Sequence, residues 1–236
     1  MPTSDIKQCE IETSHARVEG RNECKWVGDL HMSAFSGLAS PLKTPFPKDL
    51  LVLDLETTGT DPVLHSTIEI GAVLLDRHTL EEVKAWSAVI KRQERNGTNP
   101  RSMALHGRSL DNIKSTGKDA RQAVEEFFDM FGTDYLLTGW NIGFDVQFLR
   151  ALLRHTGHTD AFDVIDYHRL DVWSISQFLK TIGLFQSDVS SLSCLCEELG
   201  LPRSKAHSGL EDARITATAL RRLVQLVPHS SLAVAV

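Results

Sequence analysis

The order in which hydrophobic periods follow one another constrains this chain more than any single residue does. Leu50–Leu55, Thr67–Leu75 and Glu82–Ile90 are three strand-length apolar runs with no helical period between them, and Asp76-Arg77-His78-Thr79 is a polar turn suited to join the last two. Three such neighbours predict an antiparallel meander. Beyond them the period lengthens: Ala120, Val124, Phe127, Phe128 and Phe131 recur on one helical face, Tyr135–Thr138 predicts a strand, and Phe144–His155 predicts an amphipathic helix ending at Gly157. A strand around Phe162–Tyr167, helices near Asp171–Leu179 and Ser191–Leu199, and a long helix from about Gly209 to Val227 complete the pattern. A meander followed by strand and helix alternation predicts an α/β fold with a mixed sheet flanked by helices.

Residues 1–48 mix polar, Gly, Ser and Pro residues without a sustained period and end in Pro41-Leu42-Lys43-Thr44-Pro45-Phe46-Pro47, so they read as a tail or linker, partly disordered. The folded domain is expected over 49–228, with a short tail at 229–236. A hydrophobic content of 42% fits one such core. No apolar stretch reaches the ~18 residues of a membrane span, and the N-terminus lacks a basic-then-apolar export signal. No membrane partner and a cytoplasmic location are therefore expected. The four cysteines, Cys9, Cys24, Cys194 and Cys196, lack zinc-knuckle spacing and are expected as reduced thiols. A net charge of −6 argues against a long non-specific grip on duplex backbone. It leaves room for an enzyme that handles one strand end, because carboxylates that hold cations add negative charge to the count.

Three constellations carry chemistry. Asp54-Leu55-Glu56-Thr57-Thr58-Gly59 closes the first strand, and residues two apart on a strand point the same way, so Asp54 and Glu56 stand side by side with Leu53 and Leu55 on the opposite face. Such crowded like charge is offset by hard cations or simply faces water. Asn141-Ile142-Gly143-Phe144-Asp145 leads into a helix, and Asp145 heads the stripe of Phe148, Leu149 and Leu152 that should face the sheet. Either a ligand or an acid favoured by the helix dipole would sit there. In His207-Ser208-Gly209-Leu210-Glu211-Asp212, the Ser208 and Glu211 spacing predicts a capping box, which leaves His207 just outside the last helix and Asp212 in its first turn. Between Lys91 and Lys118, the cations Lys91, Arg92, Arg95, Arg101, Arg108, Lys114 and Lys118, against only Glu94 and Asp111, form either a rim for a nucleic-acid strand or a solvated loop.

Taken in order and separation, Asp-x-Glu-Thr-Thr-Gly, Asn-x-x-Phe-Asp and His-x-x-x-x-Asp resemble the exonuclease motifs of the DnaQ-like superfamily, DEDDh branch, a pattern shared with the proofreading epsilon subunit of bacterial DNA polymerase III. The resemblance spans roughly 49–227 and includes Ile68-Glu69-Ile70-Gly71-Ala72-Val73 and Leu105-His106-Gly107, the latter expected before the first helix. It implies a ribonuclease H-like five-stranded sheet and a 3′→5′ exonuclease acting on the 3′ end of a nucleic acid, DNA before RNA, with a DNA polymerase as a candidate partner. RNA trimming and a non-catalytic binding module are the other readings. It also implies two Mg²⁺ or Mn²⁺ ions held by Asp54, Glu56, Asp145 and Asp212, with His207 as general base. Thr57, Thr58, Gly59, His106, Asn141 and Phe144 would contact substrate. Thr60 stands where many relatives have an apolar wedge, and Trp140 where a smaller or imidazole side chain is common.

Overall fold

The computed structural model describes residues 42, 44–93, 97–185, 187–202 and 208–227. Strands β1 (Leu50–Thr57), β2 (Thr67–Leu75) and β3 (Glu82–Val89) form the antiparallel meander at the expected positions. Two further strands, β4 (Leu136–Gly139) and β5 (Arg169–Asp171), add in parallel beyond the other edge of β1, which sets the order β3-β2-β1-β4-β5. This is the mixed sheet that the pattern predicts, with the five strands that the family resemblance implies. Among the described residues the helices are α1 (Pro100–His106), α2 (Leu110–Thr116), α3 (Ala120–Phe131), α4 (Gly143–Thr156), α5 (Thr159–Val164), α6 (Val172–Thr181), α7 (Leu192–Glu198) and α8 (Gly209–Leu226).

β1 is buried on both faces, which is why it reads as an unbroken apolar run. Leu51, Leu53 and Leu55 pack with Phe127 of α3 and with Phe148 and Leu152 of α4. Leu50 and Val52 pack on the other side with Leu179 of α6, Leu195 of α7 and Leu220 of α8. The alternation along β1 therefore decides which helices its two carboxylates meet.

Two expectations are corrected. The segment expected as a strand around Phe162–Tyr167 begins inside α5, and the pairing falls to the three residues of β5 instead. Packing overrides β-propensity here: α5 docks on α4, and Phe162 joins the core with the guanidinium groups of Arg150 and Arg169 at 5.1 and 5.7 Å from its ring centroid. Two short helices, α1 and α2, precede the helix expected to be first. Each is too short for a legible apolar period, yet each is capped, by Asn99 before Pro100 and by Ser109.

Of the expected tail or linker, residues 42 and 44–48 are described. Leu42 N–H donates to the His78 carbonyl and Phe46 N–H to that of Arg77, while Lys48 Nζ lies 3.1 Å from Asp134 and 3.2 Å from Asp166. The rest of that segment and the expected tail at 229–236 lie outside the described residues. Cys194 and Cys196 are free thiols, and Cys9 and Cys24 also fall outside. No helix among the described residues is long and apolar enough to cross a membrane.

Candidate active site

Helices from opposite faces of the sheet converge on the end of β1. Asp54 and Glu56 share the β1 face of Leu50 and Val52, the face covered by α8, and the first turn of α8 delivers Asp212 to them. That approach depends on two glycines. A Cβ on Gly71 would lie 1.9 Å from the Gly209 carbonyl carbon, and a Cβ on Gly209 would lie 2.9 Å from both the Asp54 carbonyl oxygen and the Gly71 nitrogen. Backbone thus rests on backbone. With α8 so close, one carboxylate oxygen from each of Asp54, Glu56 and Asp212 lies within 4.8 Å of the others.

Asp145 arrives from α4 on the other face. Its side chain is buried, and Oδ1 accepts a hydrogen bond from the Leu55 backbone N–H at 2.9 Å, between the two acids of the strand. The turn that aims it is tightly held. Asn141 adopts a left-handed φ of 55°, and its N–H donates to Asp171 Oδ1 at 2.9 Å. A Cβ on Gly139 would meet Ile142 Cδ1 at 2.8 Å and the Leu53 carbonyl oxygen at 2.9 Å, so the β4 end must be glycine.

So many acids in one place resist ionisation. Loss of water is the first cause that pushes the Asp145 carboxyl up to about 8; the Leu55 N–H works in the opposite direction and the nearby Glu56 adds to the rise. Asp54 is held well above the usual carboxylate range, first by burial and then by the charges of Asp145, Glu56 and Asp212. An all-oxygen set of this kind, costly without compensation, suits a hard divalent cation.

The expected substrate contacts flank this cluster. Thr58 is fully buried; its N–H donates to the Ser66 carbonyl and its Oγ1 accepts from Ser66 N–H, so the residue closes the loop that contains Gly59. Thr57 Oγ1 donates to the Gly59 carbonyl at 2.6 Å, and the His65 ring sits where a Gly59 side chain would be. His106 is buried at the end of α1, where Nδ1 accepts from Arg108 N–H. Asn141 is exposed and Phe144 is half-buried against Phe148. His207 lies outside the described residues, as does Arg95.

The basic rim is thinner than the sequence suggests. Lys118 is spent on Glu126, and Arg108 on the buried Glu69. Lys91, Arg101 and Lys114 remain exposed. Sequence reasoning also missed what holds the site. Asp171, which fixes Asn141 and caps α6, carries no motif of its own. Gly71 and Gly209 lie inside recognisable strings, but nothing in one dimension shows that they touch. Ser208 stands at the N-cap of α8 as expected, but makes no capping bond: its Oγ donates to Glu69 Oε1 at 3.4 Å, an ionisable acceptor that outcompetes the cap.

An exonuclease family model, RNase_T, matches residues 51–220. The chain belongs to this DnaQ-like exonuclease family. Among exonuclease relatives, the PolC-type DNA polymerase III of Thermotoga maritima is 28% identical over 182 residues, which cover 75% of this chain and 12% of that protein. Ribonuclease T of Blochmanniella pennsylvanica is 22% identical over 192 residues, covering 74% of this chain and 83% of that protein. The chain therefore spans only a small part of the polymerase and most of the ribonuclease. The exonuclease fold is shared with E. coli exonuclease I in complex with a dA16 oligonucleotide, at a TM-score of 0.69 and 17% identity over 77% of this chain and 42% of that one. The zinc-bound form of E. coli exonuclease I with single-stranded DNA gives a TM-score of 0.68 at 17% identity, over 75% of this chain and 41% of that one.

Proposed function

We propose that this protein is a metal-dependent 3′→5′ exonuclease that releases nucleoside 5′-monophosphates from the 3′ end of single-stranded or frayed DNA, in proofreading or repair. The observation that carries this reading is the convergence of Asp54, Glu56 and Asp212 within 4.8 Å, with Asp145 buried beside them, on the end of β1. Carboxylate oxygens alone make up the set, which fits Mg²⁺ or Mn²⁺ better than a soft metal. Asp54, Glu56 and Asp212 would hold one ion, and Asp54 with Asp145 a second. Held there, two such ions would supply activation of a water and stabilisation of the charge that builds on phosphorus in an in-line displacement.

The remaining work falls to the chain's own groups. Burial raises the carboxyls of Asp54 and Asp145, the latter to about 8, and a carboxylate must lose its proton to hold a cation, so cation binding would strengthen as pH rises. His207 acts as general base, taking a proton from the attacking water, a task suited to an imidazole. Thr57, Thr58 and Gly59 at the strand end, His106, and Asn141 and Phe144 at the start of α4 position the terminal nucleotide. The likeness to PolC-type polymerases favours DNA and a polymerase partner. The likeness to ribonuclease T along most of that protein favours a second reading, trimming of RNA 3′ ends. A non-catalytic binding module fits less well, because every acid of the motif set and His207 are present.

The test is incubation of 5′-labelled DNA and RNA oligonucleotides with Mg²⁺, Mn²⁺ or chelator, beside Asp54→Ala and His207→Ala. A ladder shortening from the 3′ end, lost on chelation and in both variants, is expected, with DNA cut faster than RNA. Full activity in Asp54→Ala would overturn the reading, and faster cutting of RNA would select the second one.

A further inference from the structure

A fifth carboxylate lies against the cluster, and the motif reading assigns it no task. Glu69 of β2 is the direct register partner of Glu56 on β1, so the two side chains leave the sheet on the same face. Directly opposed residues have Cβ atoms about 5 Å apart, and like charges there repel. Glu69 is nevertheless buried, with only 4% of its side chain accessible. Both of its oxygens are engaged: Oε2 accepts from Arg108 Nε at 2.8 Å and lies 2.5 Å from Arg108 Nη2, while Oε1 accepts from Ser208 Oγ at 3.4 Å. Arg108 directly follows the left-handed Gly107 that ends α1, and Ser208 directly precedes the helix that carries Asp212. One guanidinium thus links the α1–α2 connection, β2 and the start of α8.

We propose that Arg108 is a positioning residue for the acidic cluster: by occupying Glu69 it keeps that carboxylate out of the Asp54, Glu56 and Asp212 set, and through Glu69 it holds Ser208 and the first turn of α8 in place. The inference rests on the cluster being a divalent-cation site. It assigns Arg108 to the protein's own carboxylate, where the sequence alone put it on the strand-binding rim. Arg108 and Glu69 then have opposite effects on cation binding. Without the guanidinium, an uncompensated acid stands beside Glu56 and attracts the ion away from its working position. Without the acid, a bare guanidinium repels the ion.

The experiment titrates the full chain with Mn²⁺ alone, by calorimetry, in the unaltered protein, Arg108→Met, Glu69→Gln and the double variant. Hydrolysis of thymidine 5′-p-nitrophenyl phosphate is followed in parallel. Arg108→Met is expected to bind Mn²⁺ tighter, on the order of tenfold, and to turn over more slowly; Glu69→Gln is expected to bind it weaker by a similar factor. The double variant should return most of the Mn²⁺ affinity, since the charges leave as a pair. A purely structural role would shift melting temperature without this reversal of sign. Equal Mn²⁺ affinity in Glu69→Gln and the unaltered protein would overturn the assignment, even where Arg108→Met fails to fold. Absence of Mn²⁺ uptake by the unaltered protein would instead bring down the cation-site reading itself, and this inference with it.

Discussion

Replacing Asp145 with Asn should make the metal-free protein more stable while it disables the enzyme. Burial raises the Asp145 carboxyl to about 8, against roughly 3.9 for an aspartate in an unfolded chain. Between those values the folded protein binds the extra proton. For an acid shifted upward, stability is complete below the unfolded pKa and is lost as pH rises towards the folded one. At pH 7 the gap above the unfolded value is about three units at 1.36 kcal/mol each, a cost of roughly 4 kcal/mol, which local relaxation reduces to about 2–4 kcal/mol. Asn cannot ionise, and it keeps the oxygen that accepts from Leu55 N–H. In chelator at pH 7.5, Asp145→Asn is therefore expected to melt about 4–16 °C higher than the unaltered protein, at ~2–4 °C per kcal/mol for a domain of this size. At pH 4.5 the gain should nearly vanish. On a 5′-labelled oligonucleotide with Mg²⁺ the same variant should lose on the order of a hundredfold or more in rate. A melting temperature at pH 7.5 equal to or below that of the unaltered protein would refute the electrostatic argument, and undiminished hydrolysis would refute the placement of Asp145 in the site.

Two other substitutions probe the scaffold. Gly71→Ala puts a methyl 1.9 Å from the Gly209 carbonyl carbon and 2.1 Å from Leu210 N, so α8 must move; a loss of about 1–3 kcal/mol is expected in denaturant unfolding, with Mn²⁺ uptake and hydrolysis falling further than that loss explains. Asp171→Ala removes the acceptor for Asn141 N–H and Trp173 N–H, and should cost about 1 kcal/mol in chemical denaturation while slowing hydrolysis on the order of tenfold to a hundredfold through misplacement of the α4 start.

Much of the fold is legible in one dimension because burial on a sheet or a helix leaves a period. β2 runs over the residues its apolar pattern marks out, and α8 over nearly the stretch its pattern predicts. The legibility fails where an element is too short to show a period, as in α1, α2 and the three-residue β5, or where docking overrides propensity, as in α5. Within the site, the pairing of Asp54 with Glu56 follows from strand geometry alone. The cation rim misleads, because a charge count cannot show that Lys118 and Arg108 are already matched by Glu126 and Glu69.

From its linear order alone, this chain determines which groups are available: hard oxygen donors at a strand end, at a helix start and in a last helix, with a histidine beside the third. Whether those donors meet is decided by contacts between residues far apart in sequence. Gly71 and Gly209 let α8 lie backbone to backbone on β2, Asp171 holds the turn that aims Asp145, and Arg108 takes up Glu69. Each contact depends on shape and charge in three dimensions, on the absence of a Cβ or the reach of a guanidinium, and none leaves a periodic trace along the chain.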